Sequence, residues 1–399
     1  MIILHIFEYI AQSVQGRRTR FQEIIEHSRF SHLVLSSPGV DSDHHQRIKT
    51  ERGPNWTIKQ TLGNFLLEQR GGYWLTYPIF RLQILYEVLK NNIAVIHVHD
   101  SDPKSMAGRW AAQYLKIPLI YEVHTLTSSK TIFSNSKKVI VPNRLINRSF
   151  NHEKLLVNSA KYTIVQTPVM AKQLLQQYNL PKTQIAVLLN KVDTDRLKVE
   201  KYEERRQQLR RQWGVAKNEI VFLYAGYINW YNGLQGLLSA FKAMKYKGQA
   251  RLIIFGDGPL RDEVIDTASH TENIFYFGTV PSSNMPGIYA ASDCMVMSRP
   301  DCAETKEATP MKLLEAMAMS RIVICSRVDG LMRICDAQVG LIVEPEDIDG
   351  LRKMMEYVVV NFDQLEPLRL GARKRIVELM HNEDSSQVLD ELYENIVQQ

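Results

Sequence analysis

Apolar and polar positions alternate between two kinds of segment along the chain: short apolar runs, and stretches with helical periodicity. In the first half the apolar runs are residues 2–7, 32–37, 94–99, 118–123, 162–167 and 185–190. After a charged connector at 199–214 they restart, at 220–226, 250–258, 274–278, 294–298, 321–326 and 340–344. Continuous apolar runs are typical of parallel strands that are covered on both faces. The pattern predicts an α/β protein made of two successive doubly wound units.

The restart of the pattern places the domain boundaries. We predict an N-terminal domain over residues 1–198 and a C-terminal domain over 199–380, and a length of 399 residues is sufficient for two cores. Residues 381–399 have helical spacing in their apolar positions, so we expect a helix that crosses back to the first domain. Sheets of this kind bind ligands beyond the carboxyl ends of their strands. The two domains are therefore expected to face each other across a cleft, with one substrate on each wall.

Composition favours a cytoplasmic globular protein. Apolar residues make up 45% and charged residues 23% of the chain, and its four cysteines form no C-x-x-C pair, which disfavours a zinc site or a disulfide framework. The apolar start at residues 1–12 has no basic segment and no cleavage site, so it predicts a first strand rather than a signal peptide. Since no apolar run approaches the length of a membrane span, any membrane contact is expected to be peripheral.

The net charge of +6 is unevenly distributed between the two halves of the chain. Residues 1–200 carry 26 Lys and Arg against 15 Asp and Glu, whereas residues 201–399 carry 23 against 28. A basic first half suits an anionic membrane surface or a lipid diphosphate acceptor, although a scattered, solvated basic face is the alternative. Nucleic acid is not an expected partner, because no zinc-finger or RNA-recognition signature accompanies the charge.

The segment ETKEATPMKLLEAMAMS, residues 304–320, contains a helix start with unusual surroundings. Thr309 precedes Pro310, and this pair predicts a helix that begins at Pro310 with Thr309 as its N-cap. The unpaired amides around Met311 and Lys312, together with the Lys312 ammonium, would form a site for phosphate.

Two glutamates flank this predicted phosphate site. Glu315 lies one turn further along the helix, where its carboxylate could accept hydrogen bonds from a ribose diol. Glu307 lies on the preceding loop and could reach the other end of the same ligand. An anion with hydroxyl groups on both sides describes a sugar nucleotide; the alternative is that both glutamates are solvated charges beside an ordinary capped helix.

The segment from Glu307 to Glu315 resembles the E-x7-E motif of the retaining glycosyltransferases of family 4, the large group 1 class. Further similar segments follow in the family's order, at 95–102, 120–125, 164–174, 187–197, 222–241, 252–264, 273–280, 285–299, 321–330 and 339–347. The resemblance covers nearly the whole chain. It implies the GT-B fold, in which two Rossmann-like domains face each other.

The resemblance also implies roles for single residues. Glu307 would contact the transferred sugar and Glu315 the ribose hydroxyls, while Lys312 and the first amides of its helix would hold the diphosphate. His124 occupies the place of the histidine that reaches the sugar near its reacting carbon. Gly16 would let the backbone approach the phosphates, and Gly256 in the segment GDGP would admit the nucleotide base.

Some positions depart from the family's pattern. Tyr227 and Asn232 stand where many members carry the Arg and Lys that neutralise the leaving diphosphate. Arg299, Lys312 and Arg327 are candidates to replace those two cations. Further departures, which affect the expected phosphate geometry, are Lys191, Ser320, Asp329 and Arg333.

The implied reaction is retaining transfer of a sugar from a UDP- or GDP-linked donor to a glycan or lipid-linked acceptor, in cell-surface or exopolysaccharide biosynthesis. A metal is not expected, because no D-x-D motif lies between apolar strands, and Asp100 and Asp102 follow a strand on a loop. His97 and His99 are expected on opposite faces of their strand, where they could not share an ion.

Two other classes remain open. A non-catalytic GT-B module in a glycan-assembly complex would explain the loss of the two cations. A glycoside hydrolase or sugar-nucleotide epimerase would need a second carboxylate beside Glu307, and the sequence offers no obvious one. The loops at 38–56 and 125–143 are expected to select the acceptor.

Overall fold

The chain folds into two compact units. The computed structural model describes residues 1–9, 21, 25–37, 51–53, 55–60, 73–127, 133–134, 137–138, 143–307, 309–382 and 385–398. The first unit contains Met1–Lys130, Ile140–Lys191 and Asp384–Gln399, and the second contains Thr131–Val139 and Val192–Glu383. The first unit thus combines most of the N-terminal half of the chain with its last segment, and the short segment Thr131–Val139 belongs to the second unit.

The first unit is built on one sheet with the strand order β10-β9-β6-β5-β1-β2-β4-β3. Its strands are β1 Ile2–Tyr9, β2 Ser31–Ser37, β3 Glu51–Arg52, β4 Trp56–Gln60, β5 Ile93–His99, β6 Leu119–Val123, β9 Tyr162–Val165 and β10 Ile185–Val187. All neighbouring strands are parallel except β3, which runs antiparallel to β4. The helices are α1 Tyr73–Asn91, α2 Pro103–Leu115, α3 Asn143–Ser159 and α4 Pro168–Tyr178.

The second unit repeats this design with a fully parallel sheet in the order β13-β12-β11-β14-β15-β16. Its strands are β11 Ile220–Ala225, β12 Ala250–Phe255, β13 Ile274–Tyr276, β14 Cys294–Met297, β15 Ile322–Ser326 and β16 Leu341–Val343. The short strands β7 Phe133–Ser134 and β8 Lys137–Lys138 pair with each other. The helices are α5 Glu203–Gln212, α6 Leu234–Lys242, α7 Arg261–Ser269, α8 Met285–Ala291, α9 Ala303–Glu307, α10 Met311–Ala318, α11 Asp329–Met332, α12 Ile348–Asn361 and α13 Glu366–Asn382.

The central strands are buried along their whole length. Every residue of β6, β11 and β15 is buried, which explains why these strands read as continuous apolar runs instead of alternating ones. The prediction of two doubly wound parallel sheets is confirmed. Asp102, on the loop after β5, has a structural role: it caps α2 by accepting a hydrogen bond from the Ser105 amide at 2.8 Å.

The last helix, α14 Ser385–Val397, packs on the first unit as predicted. Tyr393 is fully buried, and its hydroxyl lies 2.8 Å from Nδ1 of His97 in β5. Asp390 accepts a hydrogen bond of 2.5 Å from the Ser28 hydroxyl. Among the described residues, no helix combines the length and apolar character that would let it cross a bilayer.

Candidate functional site

The carboxyl edge of the second sheet gathers most of the predicted donor-binding residues. Strand β11 lies between β12 and β14, so the strand order reverses there, and ligands of open α/β sheets bind at such a switch point. Gly226 follows β11, Gly256 follows β12 and Arg299 lies shortly after β14. The helix α10 leads from this edge towards β15.

Lys312 brings an ammonium group directly to the end of β11. Gly226 has a φ of +142°, and a Cβ at this position would lie 2.6 Å from Nζ of Lys312. The same ammonium lies 5.0 Å from the centre of the Tyr224 ring, within the range of a cation–π contact. Burial, and secondarily the nearby charge of Arg299, lowers the pKa of Lys312 to about 7. Lys312 is therefore partly deprotonated near neutral pH, and a bound anion would favour its protonated, charged form.

Arg299 supplies a second cation beside the first. It is buried, and its Nη2 donates a hydrogen bond of 2.9 Å to Oδ1 of Asn232. The Asn232 amide in turn donates to the Tyr227 carbonyl at 2.8 Å. Burial lowers the pKa of Arg299. Asn232 thus positions an arginine, while the Tyr227 ring is 54% exposed.

These contacts concern the Arg and Lys that are missing at positions 227 and 232, because they involve the residues expected to replace them. Arg299 and Lys312 come from elsewhere in the chain, yet they lie close enough to each other for Arg299 to lower the pKa of Lys312. Arg327, the third candidate, instead forms an ion pair of 2.6 Å with Glu344, and both side chains are largely exposed.

The predicted start of the phosphate-binding helix is wrong by one residue. Helix α10 begins at Met311, and Pro310 is its N-cap, with an extended ψ of 137° and no side-chain capping bond. Thr309 does not cap the helix, because its hydroxyl donates to the Gly330 carbonyl at 3.0 Å. Tertiary contact with α11 has replaced local capping. Met311 and Lys312 are only half-buried, so the first turn stays partly accessible.

Glu307 is not on a loop, as the sequence suggested, but is the last residue of the short helix α9. It is only 3% exposed. Arg333 holds this helix end by donating to the carbonyls of Glu307 at 3.0 Å and Lys306 at 2.8 Å. Burial lowers the pKa of Arg333, and the nearby Asp329 and Glu307 oppose that shift. Arg333, which departs from the family's pattern, thus holds the backbone of Glu307, the predicted catalytic residue.

Glu315 has a partner that the sequence did not reveal. The buried hydroxyl of Tyr289, in α8, donates to Oε2 of Glu315 at 2.8 Å. Burial raises the pKa of the half-buried Glu315 carboxyl, although this hydrogen bond lowers it. Because Tyr289 lies in another helix, no local spacing could have predicted the pair.

Gly256 brings two strand ends together. Its φ is +140°, and a Cβ here would overlap the Gly226 carbonyl. The Gly226 amide donates to the Phe255 carbonyl at 3.0 Å, which ties the same two loops. Any side chain at 256 would push the β12 loop away from the place where Lys312 lies. Gly16, the other predicted glycine, lies outside the described residues.

His124 belongs to the first unit, where it ends a chain of buried imidazoles at the carboxyl edge of the sheet. His32 Nδ1 lies 2.9 Å from His5 Nε2, and His5 Nδ1 lies 3.1 Å from His99 Nε2. His99 Nδ1 lies 3.2 Å from His124 Nε2, and His124 Nδ1 lies 2.8 Å from the Gln166 amide. Sequence reasoning singled out His124 alone.

Burial favours the neutral form of His5, His32 and His99. It lowers the pKa of His5 and His99 well below the usual value and that of His32 to about 3, and the neighbouring His97 lowers each of them further. The Glu122 carboxylate opposes the shift at His99, whose Nδ1 lies 3.3 Å from it.

The expectation that His97 and His99 point to opposite faces of their strand is wrong. Residues two apart share a face of a strand, and the two rings stack with centroids 4.4 Å apart. The sets His5, His97, His99 and His99, Glu122, His124 each bring potential ligand atoms within 4.8 Å of one another. That argument against a shared ion therefore fails, and the expected metal independence stays a prediction.

Two family models match the chain. Residues 32–196 match the model described as Glycosyltransferase Family 4, and residues 205–375 match that of Glycosyl transferases group 1. Together they leave only the first 31 residues, the segment 197–204 and the last 24 residues unmatched.

Single proteins resemble the chain at low identity. An uncharacterised glycosyltransferase of Methanocaldococcus jannaschii is 22% identical over 316 residues, which is 77% of each chain. The alpha-monoglucosyldiacylglycerol synthase of Streptococcus pneumoniae is 24% identical over 58% of this chain and 51% of its own length. Among solved structures, Anabaena HepE in complex with UDP-glucose superposes with a TM-score of 0.72 at 16% identity, covering 100% of this chain and 99% of its own.

Proposed function

Because the chain belongs to the group 1 glycosyltransferases of family 4, we propose that it transfers a sugar, with retention and without a metal, from a nucleoside diphosphate donor to a glycan or lipid-linked acceptor. We place this reaction in cell-surface or exopolysaccharide biosynthesis, on the cytoplasmic side of a membrane. The fold is the GT-B fold of two Rossmann-like units.

The observation that carries the proposal is the pair of cations at the carboxyl edge of the second sheet, the half-buried Lys312 and the buried Arg299. The Lys312 ammonium lies beside Gly226, and Arg299, held by Asn232 where the loops after β11 and β14 come together, is near enough to lower the pKa of Lys312. A diphosphate leaving group develops negative charge, and preorganised cations in a partly dehydrated site stabilise such charge strongly. We infer that these cations replace the Arg and Lys that Tyr227 and Asn232 do not provide.

The donor is proposed to be UDP- or GDP-linked. HepE, which shares this fold, was crystallised with UDP-glucose, and this supports a uridine nucleotide as the first choice. Glu315, held by Tyr289, would accept hydrogen bonds from the ribose, and Glu307 would contact the sugar. His124 would lie near the reacting carbon.

The acceptor is proposed to be a glycan or a lipid-linked sugar. One relative is named for the synthesis of a glycosylated diacylglycerol, and the first half of this chain is basic. In the proposed reaction the acceptor hydroxyl attacks from the side of the leaving group, and a phosphate oxygen takes its proton. The protein then has to position two substrates and stabilise the separating charge, which needs no pair of carboxylates.

A panel of nucleotide sugars tests this proposal. Purified protein is incubated with each labelled donor and a membrane extract as acceptor, and binding of UDP and GDP is measured by calorimetry. Transfer that depends on one donor supports the proposal. Nucleotide binding without transfer would favour a non-catalytic module, the alternative suggested by the missing cations at Tyr227 and Asn232. Hydrolysis of a finished glycan would favour a hydrolase.

A further inference from the structure

Helix α1 of the first unit is apolar on two opposite sides. One side packs into the core through Phe80, Ile84 and Val88, which are at most 5% exposed. Leu82 and Leu89, on the other side, are 66% and 75% exposed. A helix with only one face in the core normally presents polar residues to solvent. The outer face of α1 therefore departs from what burial against the sheet requires.

The outer residues form one continuous stripe. Ile79, Leu82, Tyr86 and Leu89 follow one another at spacings of three, four and three, which aligns them along a helix. Each is at least half exposed. Isolated exposed apolar residues are ordinary on protein surfaces, whereas contiguous apolar patches mark binding sites for proteins or membranes.

The neighbouring helix α2 extends this surface. Arg81 stacks between the rings of Tyr77 and Trp110, at 4.4 Å and 4.5 Å, and so joins the two helices. Trp110 stacks in turn on Tyr114, with ring centroids 5.4 Å apart, and Tyr114 is 68% exposed. We call the set Ile79, Leu82, Tyr86, Leu89 and Tyr114 the α1 face.

On the two described helices α1 and α2, the exposed charged side chains are all basic. The only acidic residue of α1 is Glu87, which is buried and paired with Lys59 at 2.7 Å, and α2 has none. Lys90 is exposed, and its ammonium lies 3.0 Å from the Tyr86 hydroxyl. Lys116 follows directly after α2. Lys90 thus borders the apolar stripe, and neither α1 nor α2 carries an exposed acidic residue.

This charge pattern decides between two occupants. A second copy of the chain, packed through the same face, would bring Lys90 and its symmetry mate towards one another without acidic partners. An anionic lipid leaflet offers phosphates to the lysines, an apolar layer to the leucines and an interface that suits tyrosine. We propose that the α1 face docks this protein on an anionic lipid leaflet.

This inference rests on the proposed function and deepens it, because it names the surface that would bring the enzyme to a lipid-linked acceptor. Its test needs no nucleotide sugar. Wild-type protein is sedimented with phosphatidylglycerol vesicles or with phosphatidylcholine vesicles, at low and at high salt. Binding is expected to phosphatidylglycerol, to weaken with salt and to fall at least about tenfold on phosphatidylcholine, since each nearby cation contributes about fivefold.

Variants locate the contact. The double variant Leu82→Glu, Leu89→Glu is expected to lose vesicle binding by about a hundredfold, because it places two anions in the apolar stripe. The control is Ile348→Glu, Val360→Glu, which adds the same charge at exposed apolar positions of α12 in the second unit and should retain binding. Lys90→Glu is expected to weaken binding to phosphatidylglycerol without changing that to phosphatidylcholine.

Several results would overturn this inference. One is no binding of wild type to phosphatidylglycerol vesicles, and another is an equal loss of vesicle binding in the two double variants. A third is a dimer in solution that Leu82→Glu, Leu89→Glu dissociates, while neither wild type nor this variant binds vesicles. Circular dichroism is used to check that both double variants fold. UDP binding of the Leu82→Glu, Leu89→Glu variant should equal that of wild type, so a missing donor site and a missing lipid surface give different results.

Discussion

Both units are built on largely parallel sheets, but the carboxyl edges of the two sheets differ in electrostatic character. In the second unit the edge holds two cations, the half-buried Lys312 and the buried Arg299, whose pKa values burial lowers. In the first unit a row of imidazoles passes through His5, in the middle of β1, and reaches the carboxyl edge at His99; burial lowers the pKa of both. Both edges are largely desolvated, yet one is prepared for an anion and the other is not. The same parallel scaffold thus carries the proposed diphosphate site in one unit and a network of buried imidazoles in the other.

Glu307→Gln tests whether the second unit's edge is a catalytic site, and it is expected to have the largest effect. The amide preserves the shape of the buried side chain and removes its charge, so transfer should fall by about a thousandfold while nucleotide binding persists. Glu307→Ala should abolish transfer. Product formation is measured beside Glu272→Gln, an exposed control. Retained transfer in a folded Glu307 variant contradicts the assigned role.

Lys312→Met should weaken UDP binding by about ten- to a hundredfold. In the wild type, the pKa of about 7 means that Lys312 is charged below pH 7 and loses its proton above it. A bound diphosphate restores the charge, so the affinity should fall by up to about tenfold per pH unit above pH 7. Lys312→Arg is the matched control, since arginine stays charged and its binding should lack this pH dependence. An identical pH profile in wild type and Lys312→Arg would refute the role of the lysine.

The row of buried imidazoles should make the first unit sensitive to acid. A histidine has a pKa near 6.5 when unfolded, and that of His32 is lowered to about 3 in the folded chain. Stability is therefore complete above about pH 6.5 and declines as the pH falls towards 3, because the unfolded state binds the extra protons. Each such histidine adds a slope of up to about 1.4 kcal/mol per pH unit to the free energy of unfolding.

Urea unfolding at a series of pH values checks this, with His32→Gln as the variant. The substitution should reduce the slope by the share of one histidine, whereas replacing the exposed His270 should leave it unchanged. Equal slopes in wild type and His32→Gln would show that the buried imidazole does not titrate as expected.

Asn232→Ala probes how the second edge holds its arginine, and a smaller effect is expected. The Arg299 guanidinium would lose an acceptor at 2.9 Å, and a hydrogen bond to a charged group contributes about 1.5–3 kcal/mol. UDP affinity should fall several-fold and the protein should be less stable. Asn232→Asp retains an acceptor for Arg299 and is expected to preserve more of the affinity than alanine does. If both variants bind as wild type does, Asn232 does not position Arg299 for the ligand.

Removal of divalent metal is expected to have the smallest effect, namely none, on transfer. EDTA-treated protein is compared with untreated protein, and bound metal is measured by mass spectrometry. A loss of transfer that zinc restores would contradict the predicted metal independence. It would direct attention to His99, Glu122 and His124, whose ligand atoms lie together.

The strand pattern was predictable because it depends on burial that each strand shares along its length. The run at 220–226 became β11 and that at 321–326 became β15, nearly residue for residue. The charged connector at 199–214 contains α5, whose Arg210 forms an ion pair of 2.7 Å with the buried Asp293. The helical periodicity was visible in the sequence, but the partner of that arginine was not.

The errors arose where a local rule met a tertiary contact or was misapplied. Thr309 has the side chain and the position expected of a helix N-cap, yet its hydroxyl donates a hydrogen bond to the Gly330 carbonyl instead. Glu307 ends a helix because α9 packs near α11 and Arg333 binds its carbonyl. The assignment of His97 and His99 to opposite faces misread the period of a strand, which places alternate residues on the same face.

The sequence by itself determined the two parallel sheets, the family of the chain and the segment around α10, because periodicity, motif spacing and helix-start chemistry are local properties. Only the tertiary structure decided which groups meet: Lys312 beside Gly226, Arg299 on Asn232, Tyr289 on Glu315 and the row of imidazoles that ends at His124. These pairs join residues from different strands and helices, and their distances and degree of dehydration depend on how the elements pack. Since dehydration sets the charge of each group, the chemistry of the site is a property of the folded chain.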